Sequence, residues 1–417
     1  MNKNKNAIRT LVTVSPWFAV GMVNAEGFVD DSKASLQTTN YYFNRDFRDG
    51  AGQNKREEWA QGFLLDYRSG YTLGRVGFGF DAMGMLGLKL DSSPDRTGSG
   101  LLPTHDDGHA ADEFSRLGMT VKAKISKTEF KYGTFIPKLA TLQANTGRIL
   151  PQTFQGGMVT MKEFDGLTLT GVRFNRVTDR DSTDAQNITL NNRNRRFTTT
   201  AEGDEYWIGG ADYQINKSLA VSYQHAELQD VYRQSFFGLV NNLAIGPGKL
   251  KSDLRYMLSD DAGAARGGKI DSGALNGMFT YSLGGHALGI GLQKMNGSTS
   301  IPYINGTDVY LTNYIQINDF AEPGERSWQL RYDFDFAAMG LPGLTFMTRY
   351  VSGDHADAKT SASEGREWER NTDIGYVVQT GALKNVGFKW RNASYRSSFA
   401  RDIDENRLIV SYTLPIW

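Results

Sequence analysis

The 417-residue chain has no cysteine, which removes disulfide scaffolds, thiol catalysis and cysteine-ligated zinc. It has no excess charge of either sign, with 46 Lys and Arg against 46 Asp and Glu. A nucleic-acid binder needs a basic surplus to release phosphate counterions, so that class is disfavoured. Proline is scarce at 10 residues, and beyond the amino terminus no apolar run approaches the roughly 20 residues of a spanning helix. Segments with a convincing 3.6-residue period are missing as well. Glycine, at 46 residues, and aromatics, at 12%, are plentiful beside an ordinary 22% of charged residues. That composition fits neither disorder, collagen nor coiled coil.

Residues 1–25 have a basic start (Lys3, Lys5, Arg9), an apolar stretch from Leu11 to Val23 and a small residue, Ala25, before Glu26. This is the plan of a cleaved secretory signal peptide, too short and too broken by Pro16 to span a bilayer. Its removal leaves 43 basic residues against 46 acidic, a net charge of −3 on 26–417.

The remainder alternates with period two. Trp328, Leu330, Tyr332 and Phe334 share one face with Gln329, Arg331, Asp333 and Asp335 on the other, and Leu117, Met119 and Val121 oppose Gly118, Thr120 and Lys122. The same rhythm runs through Val76 to Asp81, Leu288 to Leu292, Val386 to Arg391 and Arg407 to Ile416. Period two means strand. One face is aliphatic with aromatics toward the strand ends and the other is polar, with no second apolar set to build a soluble interior. Strands satisfy every backbone group in lipid only as a closed barrel, so the expectation is an all-β transmembrane antiparallel barrel with a watery lumen. Chain length allows about 16 or about 18 strands of roughly 9 to 11 residues. Trp417 stands one residue out of phase with Leu414 and Ile416, leaving the register of the terminal aromatic open.

Asp91 to Asp112, Thr178 to Arg196 and Ser352 to Glu369 read as polar extracellular loops, and the basic run Asn192 to Phe197 as a surface for lipopolysaccharide phosphates or solvent. Phe135 to Gly157 and Ser300 to Ser327 carry Ile, Leu, Phe, Tyr and Pro in irregular order. Two arrangements fit them: packing on one another outside the barrel, or folding inward to narrow the channel.

The runs RILPQTFQGG (Arg148 to Gly157), GERSWQLRYDFDFAAMGLPGLTFMTRYVSGD (Gly324 to Asp354) and DENRLIVSYTLP (Asp404 to Pro415) resemble the signature segments of the OprD family of outer-membrane channels. FVDDSKASLQTTNYYFNRDFRD, DVYRQSF and GGHALGIGLQKMNG extend the similarity over nearly all of 26–417. The resemblance implies 18 strands, inward third and seventh loops, a basic ladder on the wall and uptake of small carboxylate-bearing nutrients. One branch prefers basic amino acids and the other aromatic or other small carboxylates.

Parity alone also places cations in the lumen: Arg75, Lys122, Lys124, Lys131, Arg331, Arg349, Lys389, Arg391 and Arg407. Alternate strand residues lie roughly 7 Å apart, a step that passes an anion from one weak site to the next. Some of these cations instead neutralise lumen acids such as Asp81, Asp333 and Asp335. The family's ladder matches best at Lys389, Arg391 and Arg407. Asp319 resembles an acidic position of the inward seventh loop, where with Tyr310 and Tyr314 it would hold an ammonium group or stack an aromatic ring. Lys138 and Arg148 are the only charges in the inward third loop and make it an anion-favouring rim.

These features favour an outer-membrane channel for aromatic or other small monocarboxylates, with a basic amino-acid channel as the alternative and a structural or adhesive barrel behind both. No cofactor and no metal are expected, since the histidines show no HExxH and His105 with His109 lies in a solvated loop. Without a GxSxG elbow the chain does not read as an enzyme. Expected partners are outer-membrane lipid, lipopolysaccharide and the carboxylate, with the chain a monomer or a loose homotrimer.

Overall fold

A computed structural model describes residues 26–359, 361 and 363–417. The proposed signal peptide lies outside the described residues. The barrel strands are β1 (Lys33–Phe47), β2 (Lys55–Arg68), β3 (Val76–Asp91), β4 (Glu113–Ile125), β5 (Thr128–Phe135) and β6 (Thr153–Met161). There follow β7 (Leu167–Thr178), β8 (Tyr206–Gln214), β9 (Leu219–Leu228), β10 (Tyr232–Ile245), β11 (Gly248–Asp261) and β12 (Asp271–Leu283). The circuit ends with β13 (His286–Gly297), β14 (Arg326–Asp335), β15 (Leu344–Ala356), β16 (Gly365–Val377), β17 (Gly387–Ser397) and β18 (Ile403–Pro415). Each strand pairs antiparallel with its chain neighbours, and β18 returns to β1 from Ser35↔Pro415 to Phe47↔Ile403, so the 18-stranded sheet has no free edge.

Alternation holds around the wall. Leu330 is 52% exposed toward lipid while its neighbour Gln329 is fully covered inside. The carboxyl end resolves the question of Trp417. Ala34 accepts hydrogen bonds from the backbone N–H groups of both Ile416 (2.8 Å) and Trp417 (3.5 Å) and donates to the Trp417 carbonyl (3.2 Å). Two residues thus oppose one, as in a bulge, and the parity resets. Trp417 reaches the outer face edge-on to Tyr67, with centroids 6.2 Å apart.

The two barrel ends differ. One has tight turns such as Ser126 to Lys127 and Gly284 to Gly285; the other carries the long segments 92–112, 136–152, 179–205 and 298–325. The expected loop Ser352 to Glu369 is mostly strand, its ends completing β15 and opening β16.

The interior is less uniformly polar than the alternation implied. Toward the long-loop end, inward positions hold Phe43, Phe135, Phe154, Phe174, Tyr206 and Phe236, all buried. These bury loop side chains: Leu142, Ile188, Leu190 and Ile304 in one cluster, Leu101, Leu102, Ile149 and Leu150 in a second, and Ile301, Val309 and Leu311 in a third. The apolar core therefore lies inside the barrel, between wall and loops, and this selects the inward arrangement for 136–152 and 298–325. Gly62 makes room for the first of these, since a Cβ there would lie 2.6 Å from the Ile149 carbonyl oxygen.

Candidate functional site: the lumen constriction

Four loops meet inside the barrel, for Asp91 to Asp112, expected as a polar extracellular loop, also turns inward and buries Leu101 and Leu102 against Ile149 and Leu150. The segment 298–325 pairs with 136–152 at Gln143↔Asp308 and with 179–205 at Leu190↔Ile304. Backbone bonds from Asp308 N to Gln143 O (2.9 Å), Asn305 N to Thr189 O (2.7 Å) and Asn191 N to Tyr303 O (2.9 Å) complete the junction. The inward course of 179–205 corrects the reading of Thr178 to Arg196 as a plain extracellular loop.

The run Asn192 to Phe197 is corrected with it. Arg196 is buried and grips Asp319 through two hydrogen bonds of 2.6 and 2.8 Å, with its Nε donating to Glu322 at 3.0 Å. Tyr303 Oη also donates to Asp319, at 3.1 Å. Burial alone would raise the Asp319 pKa, but the Arg196 guanidinium outweighs it and holds the carboxyl well below the usual range. This latch fastens 179–205 to 298–325 and leaves Asp319 no face for a passing ammonium, contrary to the expectation.

The loops leave a cavity of about 400 Å³ lined by seven guanidiniums, those of Arg45, Arg56, Arg148, Arg180, Arg193, Arg391 and Arg407. Asp181 and Asp308 are the acids on its lining. On the inner face of the wall, Glu405 is fully buried and bonds Arg45 and Arg407, the latter at 2.6 Å, while Asp373 takes Arg391 at 3.0 Å and Lys389 at 3.4 Å. Among the described residues, Arg56, Arg148, Arg180 and Arg193 have no carboxylate within ion-pair distance. Arg148 donates only to carbonyls, those of Ser99 (2.9 Å) and Gly147 (2.8 Å). Burial, with Arg180 and Arg407 nearby, lowers its pKa to about 9. Arg180 lies over Gly100, whose φ of +78° favours glycine and where a Cβ would fall 2.8 Å from Arg180 Nη2.

Strand register explains why the wall cations converge. Arg391 lies opposite Arg407 across β17 and β18, and Arg331 opposite Arg349 across β14 and β15. Directly opposed side chains sit about 5 Å apart, so like charges gather across strands as well as along them. Arg391 and Arg407 line the cavity. Lys389 shares Asp373 with Arg391, Arg331 pairs with Asp333 at 2.7 Å, and Arg349 donates to Asn371 at 2.6 Å. Asp335 caps a short helical turn by accepting from Ala337 N.

Lys122, Lys124, Lys131 and Arg75 belong elsewhere. Lys122 is buried against Asp81 (2.5 Å) and the Ser69 carbonyl (2.8 Å) and lies over the Tyr71 ring, 5.0 Å from its centroid, with Lys124 beside the same ring at 5.7 Å. Lys131 pairs with Glu129 at 2.8 Å, and Arg75 is exposed in the turn before β3. Of the remaining expected rim residues, Arg148 and Tyr314 line the cavity, the tyrosine donating to Asp308 at 2.7 Å. Tyr310 instead packs beneath Arg255, 3.7 Å from its ring centroid, and Lys138 is exposed in the short hairpin with Gln143. Four cavity cations were not among the expected residues. Parity in β1 and β2 could have found Arg45 and Arg56; Arg180 and Arg193 sit in irregular loop, where no parity applies.

A closed 18-strand barrel narrowed by inward loops and lined with arginine is an outer-membrane channel. Residues 26–416 match the family described as outer membrane porin, OprD family. The chain belongs to the OprD family. It is 40% identical to porin-like protein GalP of Pseudomonas putida KT2440, covering 98% of this chain and 99% of that protein. Among solved structures it is similar to Pseudomonas aeruginosa OccK9 (OpdG), at 50% identity and TM-score 0.91, covering 94% and 100% of the two chains. It is also similar to P. aeruginosa OpdK, determined with vanillate, at 41% identity and TM-score 0.88, with the same coverage. The OprD porin fold and outer-membrane location follow from this membership.

Proposed function

We propose that this OprD porin conducts small carboxylates inward by diffusion, acting as a conduit and not as a catalyst. The observation that carries the reading is the cavity lining, where seven guanidiniums face two carboxylates. Two unit charges 4 Å apart attract by about 1 kcal/mol in water and about 4 kcal/mol at an effective dielectric near 20. Each cation therefore draws a carboxylate without trapping it, as stepwise conduction requires. Aromatic and other monocarboxylates belong to this class, and similarity to a channel determined with vanillate supports them. A basic amino-acid channel would have to use Asp181 and Asp308, which the arginines outnumber. Outer-membrane lipid and lipopolysaccharide surround the wall, and a monomer or loose homotrimer suits its lipid-facing side chains.

Proteoliposome entry of labelled benzoate and labelled arginine tests the proposal, with and without Arg391→Glu. Benzoate entry that exceeds arginine entry and falls on charge reversal is expected. Faster arginine entry, or benzoate entry indifferent to the reversal, would overturn it.

A further inference from the structure

We infer that the constriction selects anions bearing two or three carboxylates over anions bearing one, an inference that rests on the carboxylate reading above. Charge is the first observation. Set against Asp181, Asp308, Glu405 and Asp373, the cavity arginines still exceed the acids by three. A single carboxylate cancels one of these charges; a tricarboxylate answers all three.

Geometry is the second. Among the described residues, Arg56, Arg148, Arg180 and Arg193 hold no carboxylate; Arg148 already gives Nε and Nη1 and Arg193 gives Nη1 to carbonyls, while Arg56 and Arg180 keep whole forks, and guanidinium binds carboxylate best in a two-pronged pair, one fork to one carboxylate. Arg148 and Arg180 come from different loops and Arg56 from the barrel wall, so the forks approach the cavity from separate directions. Several carboxylates on one small carbon skeleton match that arrangement. Burial, and then the nearby Arg180 and Arg407, lower the Arg148 pKa, in keeping with cations gathered at this point of the cavity.

The third observation concerns aromatic rings. Phe43, on the cavity lining, is 1% exposed and already lies beneath Arg148, 4.9 Å from its centroid, and Arg407, at 5.6 Å. Tyr314 is held to Asp308 and Tyr303 to Asp319. The Phe43 ring is thus covered by cations and the two tyrosine hydroxyls are committed to carboxylates, which leaves carboxylate number as the property the site reads most strongly.

The test is block of single-channel KCl current in planar bilayers at fixed ionic strength and pH 7.5, titrating acetate, benzoate, succinate, tricarballylate or arginine. Tricarballylate should half-block at a concentration at least about tenfold below acetate and benzoate, with succinate between them. Arg180→Gln should narrow that ratio mainly by weakening tricarballylate, in channels whose heat-modifiable mobility shows an intact barrel. Half-block by tricarballylate within about twofold of acetate, or a ratio unmoved by Arg180→Gln in intact channels, would overturn the inference while the carboxylate reading stands. Benzoate blocking more tightly than tricarballylate would do the same. Arginine blocking more tightly than every carboxylate, or absence of KCl current, would sink both.

Discussion

The latch between Arg196 and Asp319 yields a sharp prediction. Asp319→Ala removes two hydrogen bonds of 2.6 and 2.8 Å and leaves a fully covered guanidinium with Glu322 as its remaining carboxylate partner. Breaking one side of a buried pair costs about 3–5 kcal/mol, because the survivor stays desolvated. The loss falls on the junction of 179–205 with 298–325 and not on the barrel ladder, whose closure is independent of it. The ratio of closed to displaced loop should therefore drop by roughly 150- to 5,000-fold. In single-channel recordings the variant should show a larger mean conductance and frequent transitions that the parent lacks. The double substitution Arg196→Met with Asp319→Leu should restore quiet traces, since apolar replacement of a buried pair is often close to neutral. A steady, parental trace from Asp319→Ala would refute the reasoning, because the other bridges would then suffice to hold the loops.

Glu405→Gln leaves Arg45 and Arg407 without their shared acid, and reversal potentials in a KCl gradient should shift further toward anion selectivity. Gly62→Val should displace the segment at Ile149 and alter conductance while the folded barrel's heat-modifiable mobility is retained, because the Cβ site lies 2.6 Å from a backbone oxygen. Burial, and then the neighbouring Glu367, raise the Glu325 pKa well above the usual carboxylate range. Its contribution to loop anchoring is therefore complete below that range and fades as pH rises through the raised value. Closed-state lifetimes should shorten with rising pH in the parent and lose that part of the dependence in Glu325→Gln. Leu117→Arg on the lipid face should cost about 2–4 kcal/mol if it lies near the bilayer midplane, measured by urea refolding into lipid vesicles.

The legible and illegible parts of the molecule divide by the range of the forces involved. Alternation such as Leu330 beside Gln329 is imposed by two solvents on two sides of one strand, so it is written in neighbouring residues and declares the barrel. Inward placement of Arg391 and Arg407 followed from the same parity. Strand count did not, because closure depends on every strand finding its partner, and the resemblance supplied it. The register of Trp417 stayed open in the sequence because a bulge at Ala34 resets parity through backbone bonds to another strand.

Loop destinations were the hardest to read. Polar Thr178 to Arg196 has the composition of an exposed loop, yet it turns inward because Arg196 finds Asp319 and Glu322, and Leu190 finds Ile304, more than a hundred residues later in the chain. The sequence by itself determined an outer-membrane barrel with a basic lumen, since a period of two and the chemistry of its faces are local properties. Only the tertiary structure decided which arginines share one cavity and which are spent on Glu405, Asp373 or Asp319. Pairing and desolvation are settled between strands and loops far apart in the chain, and they determine which charges remain for a substrate.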